Sequence, residues 1–211
     1  MRSPNNALAA DVRFICGSMG TGKSHGVKQA LKGERNVLVF DAKNEYGGQP
    51  GFRIVRSRSE FLAAARAGGR IAWPAPPSEF DFFASVVWAR GDCLCIVEEL
   101  ASVTTTAKAR GSWHLILSQG RGFGIRTVGV AQRAMEIDKT IIGNATMMRV
   151  HRLSRADDRA YMAKELDVPR SMIDGLQGYE FVQRDVLTGV IHVPARLKKL
   201  REIELVKPRR R

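Results

Sequence analysis

Short apolar runs alternate with longer amphipathic stretches along this chain. Continuous apolar runs, such as those within NVLVFD at residues 36–41 and CLCIV at 93–97, predict strands covered on both faces. Further strands are predicted over 12–16, 70–73, 127–131 and 146–150, with a shorter one over 52–55. Between them, helical spacing predicts helices from the glycine-rich turn after Cys16 through Leu31, and over 57–67, 81–90, 106–118 and 154–166. Ser57 or Ser59 caps the second of these, and Gly68 and Gly69 stop it. Ser154, with Asp157 three residues later, opens the last. Residues 179–184 and 190–193 form a hairpin that turns through 185–189. Strands alternating with helices imply an α/β fold, with a mostly parallel sheet and right-handed crossovers.

Composition narrows the class. The 211 residues suit one domain: an N-terminal arm over 1–11, a body over 12–194 and a basic tail over 195–211. Hydrophobic residues make up 44% and charged residues 26%, which excludes wholesale disorder. No run approaches the roughly 18 apolar residues of a membrane span, so stable membrane insertion is not expected. The first residues lack the apolar stretch of an export signal. Cys16, Cys93 and Cys95 lie inside apolar runs and read as core residues, which fits a reducing, cytoplasmic setting. His25, His114, His151 and His192 share no ligand spacing. The 34 Lys and Arg against 21 Asp and Glu leave +13, the mark of an anionic partner. The tail carries +6 of this, leaving +7 on the rest. Aromatic content of 7% argues against stacking on single strands as the main grip.

The candidate chemistry begins at Gly17, Ser18, Met19, Gly20, Thr21, Gly22, Lys23 and Ser24, which match GxxxxGK[ST] between a predicted strand and helix. Glycines let successive backbone N–H groups face phosphates, and the following helix adds its positive end. Lys23 would neutralise phosphate charge, and Ser24 would ligate Mg²⁺. The strand over 93–97 runs straight into Glu98 and Glu99. Ligands of open parallel sheets gather at the carboxyl ends of strands, so these acids can meet the loop. Glu98 would hold Mg²⁺, directly or through water, and Glu99 would orient and deprotonate the attacking water. Asp41 and Glu45 follow another strand end, either as a solvated loop or near the nucleotide or a neighbouring subunit.

These residues, with VFDAKNEY at 39–46, SQGRGFGI at 118–125, VGVAQR at 128–133, IDKTIIGN at 137–144 and SRADD at 154–158, resemble the HerA/FtsK superfamily of ring-forming DNA-pumping ATPases. Asn44 stands where that family has Gly, and Glu98 where the first acid is more usually Asp. The small genome-packaging ATPases of viruses and phages are similar in size and layout. The resemblance implies a RecA-like P-loop NTPase fold that uses ATP and Mg²⁺. It makes Lys23, Glu99, Gln132 and Arg121 catalytic, with Gln132 a polar sensor and Arg121 an arginine finger reaching the next subunit's site. Arg133 is a second finger candidate. The implied partners are double-stranded DNA, a homo-oligomeric ring (pentamer or hexamer) and a capsid portal or vertex protein. Lys108, Arg110, Arg56, Arg58 and the basic tail are candidates for phosphate contact. A small-molecule kinase and a nucleotide-dependent phage assembly or export protein at a membrane are the alternatives. A kinase needs a lid segment that is not evident here.

Overall fold

Strands buried on both faces form the centre of the molecule. The computed structural model describes residues 3–31, 33–195 and 199–203. In chain order the strands are β1 (Val12–Cys16), β2 (Val37–Phe40), β3 (Arg53–Ile54), β4 (Arg70–Trp73), β5 (Cys93–Val97), β6 (Ile125–Ala131), β7 (Met147–His151), β8 (Phe181–Asp185), β9 (Ile191–Ala195) and β10 (Lys199–Ile203). The helices are α1 (Lys23–Ala30), α2 (Arg58–Ala67), α3 (Phe80–Arg90), α4 (Gly111–Gln119), α5 (Lys139–Asn144), α6 (Ala156–Leu166) and α7 (Arg170–Asp174). All ten strands join one sheet in the order β10-β9-β8-β7-β1-β6-β5-β2-β4-β3. From β3 to β7 every neighbouring pair is parallel. β8, β9 and β10 extend it antiparallel. This is the mostly parallel, helix-flanked sheet of a RecA-like P-loop NTPase.

The pleat sends successive residues to opposite faces, so the sheet has two cores. Phe14 and Cys16 of β1 join the larger cluster, with Leu38, Phe40, Cys95 and Val97. Ile15 joins the smaller, with Val37, Val39, Leu94, Ile96 and Val27 of α1. On the larger face Phe40 meets Phe80 and Phe83 edge-on at 5.4 and 5.3 Å, and Phe61 stacks on Trp73 at 4.8 Å. Cys16, Cys93 and Cys95 are free thiols buried in this packing. Burial pushes the Cys93 thiol up to about 11, so it packs as a small neutral group.

Local signals explain most boundaries. Ser57 caps α2 by accepting from the Glu60 N–H at 3.2 Å, and Gly68 at φ 85° ends it. α4 starts later than its pattern predicts, because Gly111 adopts φ 54°, which breaks a helix there. Lys108 and Arg110 therefore lie in a loop. α6 begins after Ser154 without a side-chain cap. Two short helices, α5 and α7, have no counterpart in the apolar pattern. Asp138 explains the first: it caps α5 by accepting from Thr140 N and Ile141 N at 3.0 and 3.1 Å, and also accepts from Trp113 Nε1.

The N-terminal arm docks on the turn before β6, where Asn5 N donates to Gly122 O at 2.7 Å. At the other end, residues 199–203 of the expected basic tail pair with β9. Residues 196–198 and 204–211 of that tail lie outside the described residues. Among the described residues no helix is long and apolar enough to cross a membrane.

Candidate functional site

The loop over residues 17–24 joins β1 to α1 at the carboxyl end of the parallel strands. Its glycines are dictated by geometry. A methyl at Gly17 would lie 2.6 Å from His151 Cβ, and Gly20 and Gly22 adopt φ 72° and 95°. Thr21 is buried and donates to Ser18 O at 2.8 Å, which ties the turn together. Ser18 N donates to Arg152 O at 2.9 Å. Ser154, expected to cap α6, instead pairs its hydroxyl with Ser18 Oγ at 2.6 Å and donates its N–H to the same oxygen at 3.0 Å. Lys23 folds over the loop, its ammonium donating to Gly17 O at 2.7 Å and Ser18 O at 3.0 Å. Burial pulls that ammonium below the usual lysine range, with Glu99 opposing. Ser24 stands exposed on the first turn of α1, and Met19 is exposed.

The two acids after β5 point apart because Glu99 turns left-handed, at φ 51° and ψ 51°. Ser102 holds that turn, donating from both N and Oγ to Glu99 O at 2.8 Å. The Glu99 carboxylate accepts from Lys43 Nζ at 2.6 Å and from Gln132 Nε2 at 3.1 and 3.3 Å. Burial raises its pKa, but the hydrogen bonds from Lys43 and Gln132 win and hold it below the usual carboxylate range. Glu99 is therefore an anion at neutral pH.

Glu98 is 7% exposed and accepts from the Tyr46 hydroxyl at 3.0 Å. Burial pushes its carboxyl up to about 7, against the pull of that hydrogen bond, and Glu45, Asp41 and Glu99 add to the push. The unfolded chain releases this proton near 4.5. Folding thus takes up a proton between these values. This group's contribution to stability is fully present below about pH 4.5 and is lost as pH rises through about 7, a change of about 3 kcal/mol. Glu98→Gln still accepts from Tyr46 and carries no charge. We expect it to flatten the fall in stability between pH 5 and 8 in denaturant melts; a slope equal to the parent's would show that other groups set it.

Asp41 is not solvated: it is buried, and it caps its own turn by accepting from Glu45 N at 2.8 Å and Tyr46 N at 3.0 Å, close enough to Glu98 for its charge to act there. Glu45 is exposed. Asn44 sits at φ 55°, a left-handed conformation that glycine adopts freely and that Asn also tolerates. Lys43 and Tyr46, which were not assigned individually, lie within that same VFDAKNEY segment.

Lys23, Glu98, Glu99 and Gln132 gather at one end of the sheet, since β6 lies between β1 and β5. Arg121 does not join them. It is exposed in the 3-10 turn Gly120–Phe123 at the opposite end of β6, about 20 Å away along the strand. Its guanidinium has no hydrogen-bond or ion-pair partner among the described residues. Arg133 is committed elsewhere, donating to Asp158 at 3.0 Å and to Glu136. Of the candidate phosphate contacts, Arg58 pairs with Glu79 at 2.6 Å and lies over the Phe82 ring, while Arg56, Lys108 and Arg110 are exposed.

No protein-family model matches the chain. A stretch of 173 residues, 78% of this chain and 78% of the other, is 30% identical to Protein P9 of Pseudoalteromonas phage PM2. The genome packaging NTPase B204 from Sulfolobus turreted icosahedral virus 2, in complex with ATP-gammaS, has the same fold. It matches with a TM-score of 0.73 at 16% identity, over 86% of this chain and 95% of that one. VirB4 of Thermoanaerobacter pseudethanolicus matches with a TM-score of 0.59 at 9% identity, over 98% and 92%.

Proposed function

The chain belongs to the HerA/FtsK superfamily of P-loop ATPases and is like the small viral and phage genome-packaging ATPases, and from that premise we propose that it hydrolyses ATP to move double-stranded DNA into a viral particle. The observation that carries the reading is the meeting of Lys23, Glu99 and Gln132 around one phosphate-binding loop, with Arg121 left free at the far end of β6.

In this reading the loop N–H groups and the positive end of α1 receive the phosphates. Lys23 leaves the Gly17 and Ser18 carbonyls for the β- and γ-phosphates. Glu99, kept anionic by Lys43 and Gln132, takes the proton of the attacking water. Gln132 orients that water and the γ-phosphate, since an amide both donates and accepts. Mg²⁺ is commonly held by one or two protein oxygens plus substrate phosphates. Ser24 and Glu98 suit that mode, and a cation would offset the crowding of Glu98 by Asp41, Glu45 and Glu99. Bound there, Mg²⁺ would neutralise charge on the transferring phosphoryl. Arg121 completes the site of the next subunit in a homomeric ring. Exposed basic residues such as Lys108 and Arg110 would grip DNA phosphates.

ATP turnover measured without any phosphoryl acceptor tests the reading. Duplex DNA is expected to raise turnover, and DNA affinity is expected to fall steeply with salt as several phosphate contacts release counterions. Turnover that requires a small-molecule acceptor, or that ignores duplex DNA, would overturn it in favour of a kinase or an assembly factor.

A further inference from the structure

We infer that Tyr179 is the platform on which the base of the bound nucleotide stacks. The inference rests on residues 17–24 being the phosphate-binding loop, and it adds the part of the ligand which that loop does not touch.

Tyr179 is 66% exposed, unusual for so large a ring. Its hydroxyl has no hydrogen-bond partner among the described residues. Yet the ring lies against the loop: a methyl at Gly22 would be 3.1 Å from Tyr179 Cδ1 and 3.7 Å from its Cβ. The turn that presents it is built. Gly178 adopts φ 51°, Glu180 N donates to Gln177 O at 2.9 Å, and Gln177 N donates to Glu180 Oε2 at 2.8 Å. These bonds fix the turn whether or not the ring packs, and the ring's approach to Gly22 places it beside the loop.

Sheet order supplies the direction. β1 lies between β6 and β7. Glu99 and Gln132, which must face the γ-phosphate, stand on the β5 and β6 side. The α-phosphate and nucleoside therefore leave the loop on the other side, toward β7 and β8. Tyr179 sits there, because β8 runs antiparallel to β7 and so starts beside the carboxyl end of β7. A ring face offers area without hydrogen-bond readout. It binds purines better than pyrimidines and does not tell adenine from guanine.

Binding to the full chain is to be compared for MgATP and for inorganic tripolyphosphate, which has no base. Tyr179→Ala is expected to weaken MgATP about tenfold and to leave tripolyphosphate unchanged. Tyr179→Phe is expected to bind both like the parent, and the parent is expected to prefer ATP and GTP over UTP. MgATP binding unaltered by Tyr179→Ala would overturn the inference. So would equal weakening of tripolyphosphate, which would make the ring a prop for Gly22. Lys23→Ala is expected to lose both ligands; if it keeps both, the phosphate-loop reading itself fails, independently of Tyr179.

Discussion

Glu99→Gln is expected to bind MgATP at least as tightly as the parent and to hydrolyse it about 10²- to 10⁴-fold more slowly. The change keeps the shape of the side chain and removes only its ability to take a proton. The left-handed backbone at Glu99, held through its carbonyl by Ser102, does not depend on the carboxylate. Gln132 can still donate to the new amide oxygen, so the geometry survives. The loss is chemical, because the carboxylate that Lys43 and Gln132 keep below the usual range is the site's charged proton acceptor beside Lys23. Gln132→Ala is expected to cost less, since it leaves that carboxylate and its ion pair with Lys43 in place. Phosphate release with saturating duplex DNA, alongside equilibrium binding of MgATP, separates the two effects. Unchanged turnover in Glu99→Gln would remove Glu99 from the role of base.

The parts of this site that were legible beforehand are those where one residue type has no substitute. Gly17 has no room for a Cβ beside His151, and Gly20 and Gly22 need positive φ, so the loop announces itself in a single stretch. Strands β1, β2 and β5 are equally plain, because burial on both faces requires unbroken apolar runs. Contacts made by strand order were hidden. Lys43 meets Glu99, and Tyr46 meets Glu98, only because β2 pairs with β5 across more than fifty residues of chain. Nothing local in the sequence specifies that pairing. Local signals also misled where tertiary partners outcompeted them. Ser154 has the spacing of a helix cap, but Ser18 claims its hydroxyl. Asp41 follows a strand end as a solvated acid would, but it is buried, and two backbone N–H groups of its own turn take both oxygens.

The same topology makes the sharpest prediction about assembly. Arg121→Ala is expected to lower ATP turnover by about 10³-fold or more, the usual contribution of an arginine supplied to a transferring phosphoryl. Lys23→Ala is expected to be inactive as well. Mixed in equal amounts, the two variants are expected to regain activity, because an Arg121→Ala subunit keeps its own loop and a Lys23→Ala neighbour keeps the finger. In a randomly mixed head-to-tail ring about a quarter of the interfaces would be complete. No cis arrangement gives this result, since neither variant has both groups. The fold disfavours a cis role on its own terms: β6 separates Arg121 from Gln132 by its whole length, and Asn5 of the N-terminal arm pins the turn at Gly122. A competing role exists, because a cation after α4 also complements the negative end of that helix. If that were all Arg121 did, its loss would lower stability by a fraction of a kcal/mol to about 1 kcal/mol, turnover would persist, and mixing would restore nothing beyond the Arg121→Ala activity already present.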